Sequence, residues 1–194
     1  SYISTSVSEL EKQKVKKLYN ISTHIFLNII NFYHKKKTKT EFNRKYIFYS
    51  GSYEYPPNKY AIDRLYYNIM PKLLKKNPKI ILVLTGSKKI PHKAFWLKNL
   101  GLISKNRYLN ILSNSLCLVV PTKEGYGTRV KIIESLCNGT VVVSSKIGIE
   151  GINYNKRIPP PFECSDDTSF VNAILKVSKN KIYKKNAIKK SVFY

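Results

Sequence analysis

The stretch Leu116-Cys117-Leu118-Val119-Val120-Pro121 runs into Thr122-Lys123-Glu124-Gly125-Tyr126-Gly127-Thr128-Arg129-Val130-Lys131-Ile132-Ile133-Glu134-Ser135-Leu136-Cys137-Asn138-Gly139, then into Val141-Val142-Val143-Ser144-Ser145. Two short β-branched, apolar runs flank a segment with helical periodicity, and proline and glycine mark the joints. Runs that are apolar along their whole length, instead of alternating, belong to strands buried on both faces, the condition of a parallel sheet covered by helices. This strand–loop–helix–strand unit sets the class as α/β.

The pattern continues on both sides. Residues 46–50 read as a strand ending at Gly51, 58–76 as a helix broken or restarted at Pro71, and 80–85 as a strand ending at Gly86. A short helix is expected at 107–114, strands at 116–120 and 141–145, a helix at 128–138 capped by Thr128, and helices at 167–178 and 181–192. The expected fold is a Rossmann-like, doubly wound parallel sheet over 45–194. Residues 1–44 read as a separate piece: an amphipathic helix at 8–19 opening with Ser8 and Glu11 at capping-box spacing, an apolar run at 25–32, and a basic linker at 34–40. Pro159-Pro160-Pro161 reads as a rigid connector.

At 194 residues and 43% hydrophobic content the chain is long enough for one core without staples. No apolar run reaches the roughly 20 residues that span a bilayer. Cys117, Cys137 and Cys164 are odd in number and far apart, so neither structural zinc nor a disulfide framework is expected. The start at Ser1 lacks an initiator Met and a leader, which places the expectation in the cytoplasm, with the chain a piece of something longer.

The formal net charge is +24, the footprint of nucleic acid or of an anionic surface. Yet only Arg44, Arg64, Arg107, Arg129 and Arg157 supply guanidinium groups, and the other 30 of the 35 basic residues are lysines, alongside an excess of Ile, Asn and Tyr. Readers of bases favour arginine for its bidentate fork. Specific nucleic-acid binding is therefore not expected, and nonspecific binding at low salt is.

In a doubly wound sheet ligands collect outside the carboxyl ends of the strands. Of the loops there, 122–128 carries two glycines into a helix N-terminus, where free amides and the dipole favour an anion. A helical wheel sets Val130, Ile132, Ile133, Leu136 and Cys137 on an apolar face, and Lys131, Glu134, Ser135 and Asn138 on the other. Glu134 lies about 9 Å along the axis from Thr128, a gap shortened by the backward lean of helical side chains. Two readings stand even here: Glu134 accepting from a ribose while Arg129 and Lys131 meet phosphates, or Lys131 and Glu134 as an ordinary exposed pair.

These motifs, in this order, resemble the C-terminal, donor-binding domain of glycosyltransferase family 4 (group 1), which has the GT-B fold. Tyr46-Ile47-Phe48-Tyr49-Ser50-Gly51-Ser52 with Pro56-Pro57-Asn58 matches the family's first strand and loop of that domain, and Val83-Leu84-Thr85-Gly86 its second. Gly101-Leu102-Ile103 resembles the nucleobase-lining segment. The most specific match is 127–139, followed by Val141-Val142-Val143-Ser144 and Gly148-Ile149-Glu150-Gly151.

The resemblance implies transfer of a sugar, with retention, from a UDP-, GDP- or ADP-linked donor to a glycan, lipid or protein acceptor, with no cofactor and no metal. It implies Arg129 and Lys131 as the groups that meet charge on the departing diphosphate. Gly51, Glu124, Gly125, Tyr126, Gly127, Thr128, Glu134 and Ile103 are then the substrate-binding residues, Glu134 holding the ribose. The family's glutamates have seven residues between them, whereas nine lie between Glu124 and Glu134 and the usual place falls on Tyr126. Which of Glu124 and Tyr126 contacts the sugar stays open. The basic pair that often follows the first strand has only Lys59 near its place. An N-terminal acceptor domain is expected upstream, with residues 1–44 its tail.

Other residues are given plainer roles. His24, His34 and His92 stand without a nearby acid or nucleophile and are expected as surface or interdomain residues, not catalysts. Asp166 and Asp167 are expected to cap a helix, and Phe95 and Trp96 to be core, with stacking near a base as the alternative. The lysines of 181–192 form a basic face, solvated or drawn to an anionic membrane. The competing class is a catalytically inactive basic module contacting nucleic acid or an anionic membrane.

Overall fold

The computed structural model describes residues 4–6, 9–25, 40–125, 129–152, 160–180 and 183. The chain begins with a small unit in which β1 (Thr5–Ser6) pairs in parallel with β2 (His24–Ile25) through α1 (Glu9–Tyr19). α1 buries none of its residues, and Leu18 and Tyr19 are exposed. Ser8, the expected cap, lies outside the described residues.

The main sheet holds β3 (Tyr46–Ser50), β4 (Ile81–Thr85), β5 (Leu97–Asn99), β6 (Leu118–Val120), β7 (Val142–Ser145) and β8 (Phe162–Cys164). All pairs are parallel, in the order β5-β4-β3-β6-β7-β8. The order reverses between β3 and β6, where Phe48 stands opposite both Val83 and Leu118. The helices are α2 (Pro56–Arg64), α3 (Met70–Lys76), α4 (Lys105–Asn114), α5 (Val130–Cys137), α6 (Lys146–Ile149) and α7 (Asp167–Lys179). The expected doubly wound class is the one found.

Four consecutive residues of β3, Tyr46 to Tyr49, are at most 2% exposed, as a central strand covered on both faces requires. With Leu82, Val119, Val143, Phe170 and Ile174 they form the core, each side chain worth about 1.5–3 kcal/mol of burial. The tyrosines bring their hydroxyls in satisfied: Tyr46 donates to the Ile111 carbonyl (2.7 Å) and Tyr49 to Asn58 Oδ1 (2.7 Å).

Several expectations are corrected. The helix expected at 58–76 starts at Pro56, since prolines fit a first turn where no N–H is needed. Of the break or restart expected at Pro71, the restart is found: α3 begins at Met70 with Pro71 in its first turn, and a π-helical turn at Leu65–Ile69 joins it to α2. Proline at 71 offers no N–H to the carbonyl four residues back and crowds it, and the wider turn relieves both. β5 and β8 escape the sequence because each is three residues long with a polar centre, formed only where the sheet offers an open edge. Trp96 is buried as expected, but Phe95 is 76% exposed.

α5 is capped at Arg129, not Thr128, with no side-chain cap bond. It is also rolled relative to the wheel. Val130 is 40% exposed, while Ser135 is fully buried and returns its hydroxyl to the Lys131 carbonyl (2.7 Å). A serine satisfied on its own helix buries at little cost, and the roll carries Lys131 inward. α7 has the expected cap: Asp166 accepts from the Ser169 amide (2.7 Å), and the Asp166 amide donates to the Ser169 hydroxyl (3.0 Å). Of the basic helix expected at 181–192 only Tyr183 is described.

His92 is not a lone surface residue. It is buried, its Nε2 lies 2.6 Å from Asp63 Oδ1 on α2, and its ring stacks on Tyr66 with centroids 4.3 Å apart. Tyr53 donates to the same carboxylate (2.9 Å). The partners are distant in the chain, so sequence order conceals them. Asp63→Ala removes the shared acceptor and is expected to cost about 2 kcal/mol, read as a lower urea midpoint.

Candidate functional site

A cavity of about 360 Å³ opens at the carboxyl ends of β3 and β6, the point where the strand order reverses. β3 brings Tyr49, Ser50 and Gly51, the start of α2 brings Pro57 and Asn58, the loop after β6 brings Thr122 and Gly125, and α5 brings Arg129 and Lys131. Two glycines make the approach of these elements feasible. A Cβ on Gly51 would meet Asn58 Cγ at 2.6 Å, and Gly125, at φ +130°, would carry one 2.8 Å from Arg129 Nη2.

Lys131 is the chemical centre. Its Nζ donates to the Ser50 carbonyl (2.5 Å), Asn58 Oδ1 (3.1 Å) and the Tyr49 hydroxyl (3.4 Å), and sits 4.4 Å from the Tyr49 ring centroid. All of these partners are neutral, and among the described residues Lys131 makes no ion pair. Burial, with the added repulsion of Arg129, pushes its ammonium down to about 8. Burial also holds the Tyr49 hydroxyl un-ionised, so the pair does not trade a proton. Arg129 donates to the carbonyls of Gly125 (3.2 Å) and Glu124 (3.4 Å), and burial lowers its pKa as well. A largely desolvated ammonium beside a half-buried guanidinium favours an anion between them.

The expected site residues fall into three groups. Gly51, Gly125, Arg129 and Lys131 line the cavity. Glu124, Glu134 and Ile103 do not. The Glu124 side chain is exposed, and it is its carbonyl that takes part, accepting from Thr122 Oγ1 (2.6 Å). Ile103 packs against the edge of the core. Glu134 pairs with Lys105, and burial, with the Glu134 carboxylate nearby, pushes the Tyr108 hydroxyl up. Neither residue of the Lys131–Glu134 pair weighed from spacing is therefore engaged with the other. Tyr126, Gly127 and Thr128 lie outside the described residues.

Tyr49 and Asn58 are site residues that the spacing of charged groups did not reveal. Only the abutment of Gly51 against the Pro56-Pro57-Asn58 turn carried a signal, because a glycine facing a helix start permits a close crossing.

Among solved structures, a point mutant of S. aureus TarM in complex with fondaparinux, α-GlcNAc-glycerol and UDP superposes with a TM-score of 0.74 at 14% identity, over 97% of this chain and 38% of that one. Anabaena HepE in complex with UDP-glucose gives 0.69 at 12% identity, over 98% and 58%. Sucrose-phosphate synthase from Thermosynechococcus elongatus gives 0.65 at 16%, over 97% and 53%. At these identities the likeness is one of fold, the Rossmann-like half of GT-B, and the chain spans between 38% and 58% of those proteins. No curated protein matches it in sequence. The family model for glycosyl transferases group 1 matches residues 44–180, and the chain belongs to that family.

Proposed function

We propose that this chain is the nucleotide-sugar-binding half of a glycosyltransferase, which transfers a sugar with retention from a UDP-, GDP- or ADP-linked donor to a glycan, lipid or protein acceptor. The observation that carries the reading is the buried Lys131 ammonium beside Arg129, held by neutral oxygens at the reversal of strand order. In transfer, negative charge grows on the departing diphosphate. Cations already desolvated and fixed at that point stabilise it more than the bound donor, which lowers the barrier; loss of one such group typically costs about 3 kcal/mol. The reading needs no resident metal, because Arg129 and Lys131 meet that charge. Glu134 reaches the ribose by leaving Lys105, and Gly125 to Thr128 supply amides around the sugar and phosphates, with Glu124 or Tyr126 at the sugar.

The same proposal divides the chain near residue 44, with 1–44 the tail of an acceptor-binding domain. The family match beginning at 44 and the separate two-stranded sheet support it. Among the described residues no helix is long and apolar enough to cross a membrane. The proposed place is the cytoplasm, with peripheral contact to a membrane.

The test is thermal. UDP, GDP or ADP at 100 times its dissociation constant adds about 2.7 kcal/mol, which for a domain of this size raises Tm by about 5–10 °C. No shift with any of the three at millimolar concentration overturns the reading.

A further inference from the structure

A second cavity, of about 500 Å³, lies at the carboxyl ends of β6, β7 and β8, on the other side of Thr122 from the cationic one. This volume falls in the range of ligand sites. Its floor is a stripe four residues apart, Tyr60, Arg64 and Asn68, running down α2 into the π-helical turn. Turns of that kind recur where a helix must redirect side chains to a site. Arg64 is already committed: it pairs with Asp167 (2.7 Å) and donates to the Pro121 carbonyl (3.3 Å), while Asp167 also holds Lys72.

Thr122, Ser145 and Asp166 are committed as well, to the Glu124 carbonyl, the Thr122 carbonyl and the α7 cap, but five lining residues are not. Among the described residues Tyr60, Asn68, Lys123, Lys146 and Ser165 make no side-chain hydrogen bond or ion pair, although all five border the cavity. They supply ammonium donors, an amide that both donates and accepts, two hydroxyls and the face of an aromatic ring that is 37% exposed. Asp166 adds an acidic acceptor at the rim. A cluster that asks for donors and acceptors in equal measure, beside a flat apolar face, does not suit a bare anion or an apolar ligand. It suits a saccharide, whose adjacent hydroxyls each donate and accept and whose C–H face packs on an aromatic ring.

We infer that this cavity is a saccharide subsite, separate from the nucleotide cavity, that holds a sugar of the acceptor against Tyr60 and Asn68. The inference rests on the glycosyltransferase reading and narrows the acceptor to a glycan or glycan-bearing molecule. Sharing Thr122 with the cationic cavity sets a bound acceptor beside the donor.

The chain is overlaid on an array of neutral and acidic oligosaccharides at about 0.3 M salt, where the Debye length is only several ångströms and diffuse attraction to the basic surface is suppressed. Hits are then measured by calorimetry with and without saturating UDP. Binding is expected to persist with UDP present and to weaken at least tenfold in Tyr60→Ala and in Asn68→Ala, with the affinity for UDP itself unchanged in both. No hit on the array, binding that survives both substitutions, or displacement by UDP overturns the inference. So does displacement by UDP-glucose but not UDP, which makes the cavity a donor-sugar site. Failure of the underlying reading looks different: UDP, GDP and ADP then bind nowhere, whatever the glycans do.

Discussion

Lys131→Met is expected to raise the stability of the ligand-free chain at pH 7 by about 3 kcal/mol while removing its response to nucleotide diphosphates. The ammonium is pushed down to about 8 from an ordinary 10.5, and each such unit of displacement is about 1.4 kcal/mol against the charged form in the folded state. Methionine keeps the stem and the packing on Tyr49 without the charge, in line with the gain often seen when a buried charge is replaced by an apolar residue. The pH dependence follows in sign. Below 8 both folded and unfolded chains carry the proton, and the penalty is present in full. Between about 8 and 10.5 the unfolded chain holds the proton more than the folded one, so stability rises with pH and the advantage of the variant shrinks. Nucleotide affinity moves the other way, falling as pH rises past about 8 and the ammonium is lost. Melting curves of both proteins from pH 7 to 10, with and without UDP, test all three statements. A variant that melts lower at pH 7 and still responds to UDP refutes them.

Arg129→Ala is expected to weaken UDP binding by about 100-fold with little change in unfolding midpoint. Arg129 stands at the N-cap of α5 with its guanidinium turned back over the loop carbonyls of Glu124 and Gly125. Those bonds are local and lie near the surface. Against a diphosphate the planar fork makes two charge-assisted bonds, together worth about 3 kcal/mol. Arg129→Lys retains the charge but not the fork, and is expected to recover roughly tenfold of the loss. Calorimetry with UDP decides the matter: parent-like affinity in the alanine variant removes Arg129 from phosphate binding.

The two residues were visible in the sequence to different depths. Both could be placed at the start of a helix behind a glycine loop, because strand, loop and helix are written locally, in apolar runs, glycines and 3.6-residue periodicity. That Lys131 turns its ammonium inward was not legible, since the wheel ranks positions by hydrophobicity and put it with Ser135 on the solvent side. The roll that reverses this depends on Tyr49, Ser50 and Asn58, some seventy to eighty positions earlier, offering oxygens at the reversal point of the sheet. Glu134 shows the same limit. Its place on α5 was foreseen, but its partner Lys105 comes from α4.

By itself the sequence determined the α/β class, the central strands and the helices between them, and the glycine loop that leads into α5, because each is a property of neighbouring residues. Only the tertiary structure decided the edge strands β5 and β8, the joining of His92 to Asp63, the inward turn of Lys131 and the second cavity beside Tyr60. Those depend on contacts between segments far apart in the chain, where burial and unsatisfied hydrogen-bonding groups, and not local pattern, set the outcome.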